Sequence, residues 1–297
     1  MSGAEHRDHA LHDALASTAA WGVDFVATAV VDETGTRAQE GDAQRRVRVA
    51  SITKPIVAYA MLVAVEEGII DLDRPINAAD SLDEQPMPLG LTVRHLLAHA
   101  GGFGFEERQP VAPPGLRRMY SNTGFELLGR LLEHASEMST ASYVDEAVFG
   151  PLGMHSSSLH GSAAKDVWSN VSDLTRFVAE LLRPTLLAPE TYAEFIAVQW
   201  PELAGVVPGL GSYRPCPWGL GVELRGHKQP HWTGRANSAK TFGHFGGTGT
   251  FFWVDPDAAG GPVGMVCLTD REFDSWALAA WPALSDAVLS AWDAALI

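Results

Sequence analysis

The chain has 297 residues, with 36 acidic against 21 basic side chains and a net charge of −15 at pH 7. A chain that is 46% hydrophobic can fill a sizeable core, which excludes disorder throughout, and its length fits one large or two intertwined domains. The acidic balance excludes nucleic-acid backbones as partners, because phosphates would be repelled.

The N-terminus, Met1 to His9, alternates charges and lacks the apolar stretch of a secretion signal. No apolar run reaches the roughly 18 residues needed to cross a bilayer. Two cysteines are too few for a disulfide framework, and Cys267 sits in a strand-like run where a buried thiol is the usual outcome. These features point to a cytoplasmic protein with no membrane partner.

Residues 4–19 read as an amphipathic helix. Residues 24–32 are rich in β-branched side chains and end at the turn Glu33-Thr34-Gly35, so they read as a strand, with a second strand placed around 45–49. The segment from Ser51 to Glu67 is apolar almost all the way round and stops at Gly68, the pattern of a helix buried inside a domain. Pro55 falls in its first turn, where a missing N–H costs little. From 71 to 200 the pattern is mainly helical, with helices at 93–98, 123–135, 141–148, 172–182 and 189–200 and Pro- and Gly-rich connections at 109–115 and 201–217. Strands follow at 219–224, 241–245, 250–254 and 263–268, and a helix at 276–295 closes the chain. Strands at both ends and helices between them imply an α/β (α+β) fold. An antiparallel sheet is flanked by terminal helices and interrupted by a helical insertion. The α/β region takes 1–70 and 215–297, the insertion 71–214.

Three sites carry chemistry. Ser51-Ile52-Thr53-Lys54 is an S-x-x-K motif, and three residues of helix bring both side chains to one face. A serine hydroxyl needs a nearby base, and a lysine becomes one when burial and positive charge lower its pKa. Only four lysines occur in the chain, and Lys54 stands on an apolar helix, where it needs a partner or must snorkel past the helix start. The second copy of the motif, Ser162 to Lys165, lies in a polar, serine-rich stretch where an exposed lysine is ordinary. Tyr120-Ser121-Asn122 precedes a helix. By itself it is a turn and a cap, but a phenol can shuttle a proton and an amide can both donate and accept. Gly243-His244-Phe245-Gly246-Gly247 is a glycine-rich strand on which a ligand or another backbone can come close. It is no phosphate loop, since no helix with a Walker lysine follows.

The histidines elsewhere read as structural. His95 and His99 are spaced i, i+4, but Leu96 stands where a zinc-protease helix carries Glu. His6, His9 and His12 fall on the opening helix and read as a solvated face.

Together, S-x-x-K, then Y-S-N, then H-x-G resemble the serine hydrolase superfamily of class C β-lactamases, penicillin-binding proteins, related esterases and D-amino-acid peptidases. Supporting stretches are Asp71 to Ile76, Leu96 to Phe103, Pro114-Gly115, Thr123 to Gly129 and Pro151 to Met154, so the match runs from about 45 to 270. The second S-x-x-K follows Tyr120, in the wrong order, and is set aside. The resemblance implies a β-lactamase/transpeptidase-like fold with its site in the cleft. Ser51 would be acylated, Lys54 and Tyr120 would share the acid and base work, and Asn122 would orient the acyl side. His244 and Gly246 would contact substrate, and the N–H groups of Ser51 and Gly247 would form the oxyanion hole. His244 stands where many members have a lysine. A histidine, mostly neutral at pH 7.5, holds a substrate carboxylate poorly. The implied reaction is hydrolysis of small esters or amides without metal or cofactor. β-Lactamase or D-amino-acid peptidase activity on the same machinery is the first alternative, and a non-catalytic binding protein that kept the fold is the second. The loops at 103–113 and 201–217 are expected to wall the cleft.

Overall fold

A computed structural model describes residues 3–77 and 87–294. Val26–Asp32 (β1), Gly35–Glu40 (β2), Glu223–Leu224 (β3), Phe242–Gly246 (β4), Thr250–Asp255 (β5) and Val263–Thr269 (β6) form one antiparallel sheet in the order β2-β1-β6-β5-β4-β3. Both ends of the chain meet in it, with β1 paired to β6 from Val26↔Thr269 to Val31↔Gly264.

The inner strands β1, β6 and β5 are apolar on both faces because helices cover both. Phe252, Val254, Val266, Leu268, Ala27 and Ala29 face a core shared with Thr53–Glu66 (α2) and Val171–Leu182. Their alternate neighbours Phe251, Trp253, Met265, Cys267 and Val30 face a second core. It is filled by Leu11 and Leu15 of Gly3–Ala16 (α1) and by Trp281, Leu284 and Val288 of the closing helix Ala277–Asp293. A period-two alternation between two apolar layers produces the nearly continuous hydrophobic runs seen in the sequence.

The expected antiparallel sheet with terminal helices is present, and α2 is buried on nearly every side, as its composition requires. Gly221 (φ +93°) crosses α2 so closely that a Cβ there would meet the Cβ of Ala58 at 2.3 Å.

Two readings need correction. The second strand of the sheet is Gly35–Glu40, not 45–49. Its sequence, Gly-Thr-Arg-Ala-Gln-Glu, is polar because it is an edge strand with little to bury. Val47–Arg48 instead pairs with Val167–Ser169 in a separate three-stranded sheet. The middle of the chain is not purely helical. Arg118–Met119 pairs with Gly205–Val207, which pairs with Gly211–Tyr213, inside a stretch that reads as loop. The end of the closing helix expected at Ala295 lies outside the described residues. Among the described residues, no helix is long and apolar enough to cross a membrane.

Candidate active site

A tight 3-10 turn, Ala50–Ile52, leads directly into α2. Ala50 adopts φ 47°, a left-handed conformation that costs an L-residue about 1–2 kcal/mol. Ser51 follows it and lines a cavity of about 170 Å³ together with Tyr120, His244 and Gly247. The remaining walls are apolar: Phe105, Val207, Pro208, Gly209, Trp218, Phe245 and Phe273. Both loops expected to wall the cleft contribute to it, one through Phe105 and the other through Val207 to Gly209.

Lys54 is fully buried one turn after Ser51. Its Nζ lies 3.2 Å from Ser51 Oγ, 2.6 Å from Asn122 Oδ1 and 3.0 Å from the carbonyl oxygen of Ala164. Burial lowers its pKa to about 7; Glu126 opposes that shift and Lys165 adds to it. A neutral amine has two hydrogens and one lone pair. Asn122 Oδ1 and Ala164 O only accept, so they claim both hydrogens and leave the lone pair to face Ser51 Oγ. The lysine is therefore held in the orientation in which it can take the serine proton.

Tyr120 is also brought to this point. It lines the same cavity as Ser51, its ring centroid lies 4.7 Å from Lys54 Nζ, and Phe105 stacks on it at 5.9 Å. Burial raises the phenol pKa, the nearby Ser51 side chain lowers it, and Glu223 raises it, with a net upward shift. Tyr120 thus stays protonated at neutral pH and can donate a proton.

Two residues that the sequence did not single out for this role hold the Tyr120 turn in place. His99 Nδ1 accepts the Ser121 N–H at 3.1 Å, and the imidazole packs 4.5 Å from the Tyr120 ring. Arg118 is buried and donates to the carbonyls of Cys216 (2.7 Å), Gln199 (2.6 Å) and Ala98. Ser121 caps the helix Asn122–Ser136 by accepting the Gly124 N–H at 3.0 Å, which fixes Asn122 at its first turn. His95 lies elsewhere, stacked on Trp200 at 4.6 Å with Nδ1 2.8 Å from Thr92 Oγ1.

His244 stands in the middle of β4, 5.8 Å from the Tyr120 ring. Its Nδ1 is 2.7 Å from the Phe245 carbonyl oxygen, which only accepts, so Nδ1 carries the hydrogen. Nε2 then bears a lone pair, and it has no partner among the described residues. Burial, followed by the nearby Lys54, lowers the imidazole pKa to about 3. The ring is neutral at any ordinary pH.

Gly246 does not line the cavity. A Cβ there would meet the Val49 carbonyl oxygen and Thr250 Oγ1, each at 2.4 Å, so its missing side chain admits backbone rather than ligand. Gly247 and Ser51 line the same cavity.

The second S-x-x-K segment forms no serine–lysine pair. Ser162 Oγ donates to Glu126 Oε1, whereas Lys165 Nζ meets Glu106 Oε1 at 3.1 Å. Yet the segment borders the site, because Ala164 O holds Lys54. Ser162→Ala is expected to change ester turnover by less than about threefold, since the two part-buried hydrogen bonds lost, to Glu126 Oε1 and from the Ala164 N–H, do not touch Ser51 or Lys54. Steady-state kinetics of the variant check this.

A profile of the beta-lactamase family matches residues 20–288. The crystal structure of a beta-lactamase from Mycobacterium bovis is 46% identical, with a TM-score of 0.88, and the match covers 94% of this chain and 99% of that one. Esterase EstB of Burkholderia gladioli is 30% identical over 144 residues, 36% of this chain and 36% of the esterase. A penicillin-binding protein of Bacillus subtilis is 29% identical over 133 residues, 36% of this chain and 29% of that protein. The chain thus aligns with about a third of the length of these two curated relatives.

Proposed function

The chain belongs to the beta-lactamase family of serine hydrolases, and on that premise we propose that it hydrolyses small esters through an acyl-enzyme on Ser51. The observation that carries the reading is the fully buried Lys54, its pKa lowered to about 7, 3.2 Å from Ser51 Oγ. Lys54 takes the Ser51 proton as the serine oxygen attacks the ester carbonyl. The N–H groups of Ser51 and Gly247 stabilise the oxyanion. The leaving alkoxide takes the Tyr120 proton, and the extra proton on Lys54 returns to the phenolate. Water then repeats the sequence on the acyl-serine. Asn122 orients the acyl group.

His244 favours esters over β-lactams. A neutral imidazole with a bare Nε2 lone pair offers no cation to a lactam carboxylate and repels it. The small, mostly apolar cavity suits a short acyl or alcohol group. The test is turnover of p-nitrophenyl acetate and butyrate beside nitrocefin. Faster ester turnover is expected, and nitrocefin turnover that rivals it overturns the preference.

One observation favours β-lactam hydrolysis as a second reading: the relative that is 46% identical carries the name beta-lactamase. Changing one side chain separates the two. His244→Lys is expected to raise the ratio of nitrocefin to p-nitrophenyl acetate kcat/KM by about tenfold or more, the worth of one charge-assisted hydrogen bond. An unchanged ratio means that position 244 does not decide the substrate.

A further inference from the structure

The acyl side of the site holds a charge that the mechanism above does not use. Asn122 spans two partners. Its Oδ1 accepts from Lys54 Nζ, and its Nδ2 donates to Glu106 Oε1 at 2.8 Å. Glu106 follows Phe105, whose ring lines the cavity and whose carbonyl oxygen accepts the Asn122 N–H at 2.8 Å. The carboxylate is therefore held beside the amide to which the proposed reaction assigns the acyl group. It also accepts from Lys165 Nζ at 3.1 Å, the lysine of the segment whose Ala164 carbonyl holds Lys54. The Asn122 hydrogen bond and Lys165, against a smaller effect of burial, hold the Glu106 carboxyl below its usual range, so it is ionised at neutral pH.

A substrate whose acyl group reaches Asn122 must therefore meet an anion. We propose that Glu106 determines specificity at the acyl subsite. It selects esters or amides whose acyl group carries an ammonium and disfavours those whose acyl group carries a carboxylate. Lys165 is the internal cation that occupies the place of that ammonium until substrate arrives. The exchange costs little. Both side chains of the pair are partly exposed, at 37% and 55%, and an exposed ion pair of this kind contributes little to stability. The substrate ammonium replaces one cation by another, so Glu106 never loses a counter-charge. A net charge of −15 adds a field that draws cationic substrates in and slows anionic ones. This inference rests on the acyl-enzyme reading and names its substrate class.

The test uses benzyl esters of three acids of similar size: alanine in both configurations, propanoic acid and succinic acid as its hydrogen ester. Benzyl alcohol release gives kcat/KM for each. Wild type is expected to prefer the alanine ester to the propanoate, and the propanoate to the succinate, each by about tenfold or more, as expected for a charge-assisted contact. In Glu106→Gln the two ratios collapse to within about threefold of unity. Glu106→Asp restores the order, and Lys165→Met raises kcat/KM for the alanine ester by removing its competitor. The alanine preference fades as pH rises past the pKa of its own amine. A purely structural role for Glu106 would lower all three rates by one factor and leave the ratios unchanged; that result overturns the inference. So does a wild-type enzyme that turns over the succinate fastest. If none of the esters is hydrolysed in a Ser51-dependent manner, the acyl-enzyme reading falls and this inference with it. Ser51-dependent hydrolysis with ratios insensitive to Glu106 overturns the inference alone.

Discussion

Lys54→Met lowers kcat/KM for ester hydrolysis by about 10²–10⁴-fold, the contribution of a positioned general base. Methionine keeps the length of the buried side chain and removes only the amine, so the loss reports proton transfer rather than packing. The wild-type pH profile carries the same signature. Lys54 loses its proton near pH 7, and only the neutral form has a lone pair for Ser51. Activity therefore rises with pH through about 7 and falls below it, as the protonated amine donates to Ser51 Oγ instead of accepting. Folding is linked to the same proton. Because burial lowers the pKa in the folded state, the unfolded chain binds more protons between about 7 and the ordinary lysine value, and stability climbs with pH across that window. In Lys54→Met that slope disappears. Kinetics and thermal melts from pH 5.5 to 9.5 check both effects. A variant that keeps wild-type kcat/KM removes Lys54 from the chemistry.

The largest expected loss of stability comes from Glu223→Ala. Glu223 lies on β3, paired to Gly243 one residue before His244. Its Oε1 accepts from Lys228 Nζ at 2.8 Å and from His231 Nε2 at 3.1 Å, and its Oε2 accepts from Trp232 Nε1 at 2.7 Å. Both members of the Glu223–Lys228 pair are 1% exposed. Lys228 also donates to the carbonyls of Pro217 and Leu224, so it cannot swing to solvent without breaking two further bonds. Removing the carboxylate leaves a buried ammonium with no counter-charge, which costs about 3–5 kcal/mol. Glu223→Gln keeps a single acceptor oxygen, for either Trp232 or Lys228, and loses less. Burial alone would raise the Glu223 carboxyl, but Lys228 and His231 outweigh it and hold it well below the usual range. Its contribution to stability is thus present at neutral pH and is lost only as pH falls far into the acid range. Urea denaturation of the two variants at pH 7 measures the difference. The Lys228 ammonium lies 5.7 Å from the Trp218 ring, and Trp218 lines the cavity, so this cluster underpins one wall of the site.

How much of this was legible in the sequence depends on what each feature rests on. Features that rest on local pattern were legible. An all-round apolar segment starting at Ser51 is a buried helix, and a lysine inside it had to find partners, which Asn122 and Ala164 supply. The His244 substitution was visible as a single letter, and its consequence, a neutral ring, follows from burial. Features that depend on tertiary neighbours were not legible. The polar edge strand Gly35–Glu40 has no hydrophobic signal because only one of its edges is paired. Glu106 belongs to an acidic loop stretch, and nothing local distinguishes it from Glu107. Its role arises when the loop places it beside Asn122, 16 positions later, and Lys165, 59 positions later. The order of motifs correctly removed Ser162 and Lys165 as a serine–lysine pair, but order says nothing about which loops border a cleft. His99 was recognised as structural, but its partner, the Ser121 N–H, is visible only in three dimensions.

The central claim is that Ser51 is the residue that becomes acylated. Intact-mass analysis after treatment with a fluorophosphonate tests it most directly. The account predicts one covalent adduct on the wild-type chain, retained in Ser162→Ala and absent from Ser51→Ala. An adduct that persists in Ser51→Ala, or a wild-type chain that takes none, would contradict it.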